Sequence, residues 1–362
     1  MIDHHAHPFA LQGGPLDVST LTLDVIDDDD RDERRRRDGP SRLFHELLTV
    51  RLSQRLACDA EELSERRADA SRDWEPYARG LFADAGITDL VMDAGYAPGG
   101  DDQLAELGRL SGCGIHPILR VDTMVDEMIG RDESAQAIVR AVEDAMRGAV
   151  ERGAVGFKTI LAYRTGLAVD PGATMRQADE SLRSEDPVRR RGKALRDVVM
   201  RRVLAVAGEL GRPLQIHTGM GDSDIRLAEA NPLLLEEILR TPEGRSAKVA
   251  LIHGSWPWNE ELAYLAATKP NVWAEISLSN IFSPITTADR LLRMLDVAPA
   301  TKLLMATDGH LEPELFWFAA LVLQDAWREV SQRLSAAGAR PGWLGSVERM
   351  IFTDNTKALY GI

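Results

Sequence analysis

Val249-Ala250-Leu251-Ile252-His253 sets four aliphatic residues ahead of a histidine, with Gly254 directly behind. A run this short and this apolar reads as a strand covered on both faces, the habit of parallel sheets. Apolar residues at helical spacing follow it over 259–267. The same unit recurs along the chain. Apolar segments fall at 1–7, 87–93, 115–121, 155–160, 214–217, 249–253, 272–277 and 303–308, and helical spacing fills 135–152, 192–210, 233–239, 259–267, 287–295 and 314–336. Eight strand-plus-helix units predict an α/β fold, the (β/α)8 TIM-type barrel. A doubly wound open sheet is the alternative, since one missed or doubled strand changes the count.

The first gap is far longer than a helix and two loops require. Residues 11–80 read as an insertion after the first strand, a lid or cap over the barrel mouth, with helical stretches at 43–57 and 73–85. It carries the charge run Asp27-Asp28-Asp29-Asp30-Arg31-Asp32-Glu33-Arg34-Arg35-Arg36-Arg37, closed by the turn signal Asp38-Gly39-Pro40. That run reads as a solvated segment with internal ion pairing, because the glycine and ligand spacing of a calcium loop are missing. No fixed-length repeat or low-complexity linker divides the chain, so 1–362 reads as one domain.

With 44% hydrophobic and 28% charged residues, the 362-residue chain has the make-up of a globular protein. Its 57 acidic and 43 basic residues give a formal charge of -14, which argues against nucleic acid or an anionic membrane as a partner. A small anionic substrate remains compatible, because a pocket can be locally positive. Cys58 and Cys113 lie far apart without a CxxC spacing, so neither a disulfide framework nor a thiolate zinc site is expected. A reducing cytoplasm fits this cysteine usage, and no secretory leader or membrane-spanning run is read. A homo-oligomer stays open.

The chemistry gathers at the ends of the strands. Met1-Ile2-Asp3-His4-His5-Ala6-His7 places His5 and His7 on one face of a strand and His4 on the other, by simple alternation. Two imidazoles from one strand make half a metal site, although His-X-His at a chain start is also found as a tag or a solvated end. His217 closes Leu-Gln-Ile-His, His253 closes Ala-Leu-Ile-His, and Asp308 closes Leu-Leu-Met-Ala-Thr-Asp. A barrel puts its active site at these C-terminal strand ends. Lys158 sits inside the fourth apolar segment, where an unpaired ammonium is costly, so it must be paired, neutral, chemically modified, or turned out at the barrel top.

This pattern resembles the amidohydrolase superfamily: His-X-His on the first strand, lysine on the fourth, histidine on the fifth and sixth, aspartate on the eighth. More narrowly, Ile2-Asp3-His4-His5-Ala6-His7-Pro8, Gly156-Phe157-Lys158, Tyr163-Arg164-Thr165-Gly166-Leu167, Gln215-Ile216-His217-Thr218-Gly219-Met220-Gly221-Asp222 and Thr307-Asp308-Gly309-His310 resemble the FluG-type branch. The resemblance implies a divalent metal, zinc above manganese or iron, on His5, His7, Lys158, His217, His253 and Asp308. It implies one ion, or two if Lys158 is carboxylated. Hydroxide formed on the metal is expected to attack an amide or related C–N bond of a small carboxylate-bearing molecule, a γ-glutamyl amide by analogy with the branch. Asp308 is expected to serve as acid/base, and His253 either to polarise the carbonyl or, with Lys158 carboxylated, to bind a second metal with His217. A decarboxylase on the same scaffold and an inactive binding protein are the alternatives. For substrate capture, Arg164 offers a carboxylate-gripping fork, with a salt bridge to a loop acid as its competing role, and Tyr163 and Trp256 offer an aromatic wall. Asp222, Asp224, Glu275 and His310 are minor lining, and His45 and His116 have no assigned role.

Overall fold

A computed structural model describes residues 1–21, 31–96 and 100–362. The strands are β1 Ile2–Ala6, β2 Asp89–Asp93, β3 Gly114–Arg120, β4 Gly156–Thr159, β5 Leu214–His217, β6 Val249–Ile252, β7 Val272–Ile276 and β8 Leu303–Met305. All pair in parallel, and their spatial order is their chain order. A doubly wound sheet would reverse its order at a switch point. This sheet does not reverse. β8 returns to β1 just past the strand ends, where Asp308 N donates to His5 O at 3.0 Å and His7 N donates to Gly309 O at 2.8 Å. The barrel reading is therefore borne out.

Alternation sorts the side chains into two layers. Outward residues such as Phe157, Leu214, Ile216, Val249 and Leu251 pack under helices that include Ala135–Glu151 and Lys193–Leu210. Inward Val91, Ile118, Ala250, Ile252 and Leu304 fill the barrel floor, closed from below by Leu359 and Tyr360.

β1 departs from simple alternation. Ile2 and Asp3 pair with Asp89 and Leu90, but the next match is Ala6 with Met92, so two residues of β1 face the single Val91. This bulge turns both His4 and His5 inward. The expectation that His4 faces away from His5 is corrected: its Nε2 lies 3.0 Å from Tyr360 Oη, the hydroxyl that also accepts from Gln215 Nε2 at 2.8 Å. His4 points to the floor and His5 to the mouth.

The long first connection is largely core. Helix Trp74–Asp84 buries Trp74, Tyr77, Ala78, Leu81 and Phe82, a stripe at three- and four-residue spacing. With Phe44, Leu48 and Leu52 of helix Leu43–Leu56, they join Leu315, Phe316 and Phe318 of helix Pro313–Ala336 in one cluster. Fully burying each large apolar side chain stabilises the fold by about 1.5–3 kcal/mol. Of the charge run, 27–30 lies outside the described residues; the rest forms helix Arg31–Asp38, where Arg37 pairs with Asp38 in the open. Gly39–Ser41 is the expected turn.

Candidate metal and catalytic site

The ends of β1, β6 and β8 converge at the mouth. His5 Nε2 lies 3.2 Å and His7 Nε2 3.4 Å from Asp308 Oδ1, and His253 Nδ1 lies 3.8 Å from Asp308 Oδ2. One ligand atom from each of His5, His253 and Asp308 falls within 4.8 Å of the others, and the same holds for His5, His7 and Asp93. Both ring nitrogens of His5 and Oδ1 of Asp308 are buried with no hydrogen-bond partner among the described residues. Unsatisfied buried polar atoms are costly, and a nitrogen-and-carboxylate set aimed at one point suits a divalent cation. The residues fit a metal.

The backbone is strained to make this possible. His253 (φ 69°), Ser255 (φ 47°), Asp308 (φ 55°) and Leu311 (φ 58°) all take left-handed conformations that cost non-glycine residues free energy and gather at functional sites.

His7, His253 and Asp308 are braced from behind. His7 Nδ1 is 2.9 Å from Asp93 O. Ser277 Oγ stands 2.8 Å from His253 Nδ1 and donates to Glu275 Oε2 at 3.0 Å, which fixes the imidazole's orientation. Asp3 accepts from Thr307 N and Thr307 Oγ1, holding the segment that leads into Asp308. Burial alone would raise the Asp308 carboxyl, but His253, His5 and His7 hold it well below the usual carboxylate range. Burial and then the neighbouring Lys158 push His5 down to about 4, so its ring is neutral and fit to ligate.

His217 and Lys158 sit one step back. The His217 ring lies 4.3 Å from that of His253, and its Nε2 is 3.0 Å from Met220 O, which leaves Nδ1 as its open nitrogen. Lys158 is buried and makes no hydrogen bond or ion pair among the described residues. Burial pushes it down to about 8, with Asp93 opposing and Arg120 reinforcing the shift. An appreciable neutral fraction follows, the form that can add CO2.

Tyr163 borders the cluster, whereas Arg164 is spent on Asp126. The Tyr163 ring meets His217 edge-on at 4.6 Å, and its hydroxyl accepts from Asp222 N at 3.0 Å. A Cβ at position 221 would lie 2.0 Å from that hydroxyl, so only glycine fits there. Half-buried Trp256 joins the loops after β5 and β6, its carbonyl accepting from Met220 N. Arg164 Nε donates to Asp126 Oδ2 at 2.8 Å, and Arg196 Nη2 takes the other oxygen at 2.7 Å. The competing salt bridge is thus formed, with an acid of helix Val121–Gly130 rather than of a loop. Burial, then Asp224 and Asp308, push Asp222 up to about 7. His310 Nδ1 is 2.9 Å from Asp308 O. His45, between the carbonyls of Gly39 and Leu21, and His116, on Asp89, lie outside the cluster.

Sequence reasoning missed Asp93 and Arg120. Arg120 Nε and Nη2 both reach Asp93 Oδ2, at 3.0 and 2.7 Å. Asp93 closes its apolar run as Asp308 closes another, and that signal was available.

The profile of the family described as Amidohydrolase matches residues 127–362. The chain belongs to the amidohydrolase family. Protein fluG of Emericella nidulans is 36% identical over 200 residues, covering 49% of this chain and 22% of that protein. The chain thus spans about a fifth of the length of this curated relative. A structure described as a metal-dependent hydrolase, from Lactobacillus casei, superposes with a TM-score of 0.86 at 25% identity, covering 100% of this chain and 95% of that one. Uronate isomerase from Thermotoga maritima superposes at 0.68 with 15% identity, covering 99% and 94%, and shares the fold. Membership supports a metal-dependent enzyme with a small-molecule substrate. No helix among the described residues is long and apolar enough to cross a membrane.

Proposed function

We propose that this protein hydrolyses an amide or related C–N bond of a small, carboxylate-bearing substrate, a γ-glutamyl amide being the case that the resemblance of its motifs to the FluG-type branch implies. The observation that carries the reading is the convergence of His5, His7, His253 and Asp308 at one mouth, where ring nitrogens of His5 and Oδ1 of Asp308 are buried without a hydrogen-bond partner among the described residues. A divalent ion there, for which zinc suits the donor set, supplies Lewis acidity and makes water acidic enough to lose a proton near neutral pH. His5, His7 and Asp308 would hold it, with His217 and His253 beside them; a second ion would use Lys158 as a carbamate. Asp308, held ionised, takes the proton of attacking water at a carboxylate oxygen and returns it to the leaving nitrogen. His253, steadied by Ser277, turns its other nitrogen to the substrate carbonyl. Tyr163 and Trp256 wall the substrate. Two free cysteines suit a reducing cytoplasm.

The test is a scan of γ-glutamyl and other carboxylate-bearing amides, alongside aromatic and aliphatic carboxylic acids, with released amine and released CO2 both measured. Amine release supports the proposal; CO2 alone makes the protein a decarboxylase and overturns C–N cleavage. His5→Ala/His7→Ala is expected to abolish metal retention and turnover while far-ultraviolet circular dichroism stays native. Full metal stoichiometry in that variant would remove the assignment.

We also propose that part of 11–80 covers the mouth. The segment after β1 packs on helix Leu63–Ala70, where Ser71 Oγ donates to Gly14 O. A saturating substrate or product is expected to slow amide exchange in 11–21 more than in helix Ala135–Glu151. Equal, unchanged exchange in both would reduce the segment to packing.

A further inference from the structure

Arg120 ends β3 and lies in register with Lys158 on β4. Ile118, two residues earlier on the same face, fills the barrel interior, so the Arg120 side chain is directed inward at the mouth end. Its guanidinium is fixed rather than mobile. The Nε and Nη2 groups converge on Asp93 Oδ2, while Asp93 Oδ1 accepts from Gly95 N at 3.0 Å. A Cβ at position 95 would stand 2.5 Å from Arg120 Cβ, so this close seating depends on glycine.

An arginine has two edges able to grip a carboxylate side by side. Asp93 takes the Nε/Nη2 edge. The Nη1/Nη2 edge is left: among the described residues the hydrogen bonds of Arg120 run from Nε and Nη2 to Asp93, and the side chain is 10% exposed. Arg120 lies in register with Lys158 and brings a fixed guanidinium to this side of the mouth inside an acidic protein. An anionic group brought there exchanges water for a pre-oriented fork, at little cost in side-chain entropy.

The geometry points to Arg120 as the residue that selects a substrate carboxylate, gripping it with its Nη1/Nη2 edge while the scissile group lies at Asp308. This rests on the carboxylate-bearing substrate proposed above and names where that carboxylate sits. Arg164, spent on Asp126 between helices Val121–Gly130 and Lys193–Leu210, is not the grip.

The test compares succinate, glutarate and adipate with butyrate, pentanoate and hexanoate, by titration calorimetry on the metal-loaded full chain at matched metal content. Each pair shares chain length and one carboxylate, so direct ligation to the ion cancels and the ratio of dissociation constants reads the second carboxylate. The native protein is expected to prefer the best dicarboxylate, and Arg120→Met to lose that preference by roughly 30-fold or more, the loss typical when one partner of a buried charge pair is truncated. Arg164→Met should keep it. Because Arg120→Met strips Asp93 of its partner, Asp93→Asn/Arg120→Met is measured too; it is expected to fold and still lack the preference, whereas Asp93→Asn alone keeps it. Retention of the preference in a folded Arg120 variant, or its loss in Arg164→Met instead, overturns the inference alone. Absence of any preference in the native protein overturns the carboxylate reading, and this assignment with it.

Discussion

Asp308→Asn is expected to lower turnover at least ~10²-fold at matched metal content, the lower end of what an acid/base group contributes. The substitution keeps the shape and one carbonyl oxygen, so it separates proton handling from packing. Asp308 is caught between three imidazoles, with His5 and His7 on Oδ1 and His253 near Oδ2. Those neighbours keep it an anion despite full burial, so an acceptor is ready before substrate arrives. An amide cannot take a proton there, and its NH2 end would face imidazole nitrogens that also need to present lone pairs. Metal content and steady-state rates on the same sample decide the matter. A rate within threefold of native at full metal occupancy would move the acid/base role to another group.

What the sequence made legible was whatever local pattern encodes. His217, His253 and Asp308 each end an apolar run and are followed closely by glycine, so strand and ligand are visible in the same few residues. Lys158 was visible because a cation in an apolar run has few innocent explanations. Arg120 closes an equally apolar Ile118-Leu119 run, yet at a strand end a long side chain reads as escaping to water, and only its pairing with Asp93 across strands reveals otherwise. The inward turn of His4 could not be read at all, since a bulge is a property of two paired strands and simple alternation is the default for one. Arg164 shows the converse: its motif position was plain, but its partner Asp126 lies on a helix that sequence periodicity did not bring out. Helix Leu63–Ala70 was missed for a related reason. Its sequence, Leu-Ser-Glu-Arg-Arg-Ala-Asp-Ala, offers one apolar anchor, and the residue that fills the next core position four places on is Arg67.

Arg67→Met is expected to destabilise the fold by about 3–5 kcal/mol, the scale for removing one partner of a buried ion pair. Arg67 is 1% exposed. Its Nε donates to Glu314 Oε1 at 2.7 Å and its Nη2 to Glu312 Oε2 at 2.6 Å, while Nη1 donates to Gly14 O. The guanidinium also lies over the rings of Trp74, at 5.0 Å, and Tyr77, whose hydroxyl donates to Glu314. Methionine can keep some of the ring packing but leaves two carboxylates without a cation. Burial, and then Glu314 beside it, already push Glu312 up to about 7, with Arg67 restraining the rise. Without Arg67 its folded pKa climbs further above the unfolded value, so the folded state is penalised over a wider range and the stability gap to the native protein widens as pH rises through 7. Urea unfolding at pH 6 and pH 8 measures both effects, with Arg51→Met, which breaks a partly exposed pair with Asp325, as a control expected to cost under ~1 kcal/mol. Arg67→Met/Glu312→Gln/Glu314→Gln should recover part of the loss by removing the stranded charges. A single variant within ~1 kcal/mol of native at pH 8 would show that the ion pairs contribute little. If the loss appears, its reach extends beyond stability: Gly14 follows the segment that carries His5 and His7, and Glu312 follows Asp308, so this one buried cation ties together two of the segments that bring ligand candidates to the mouth.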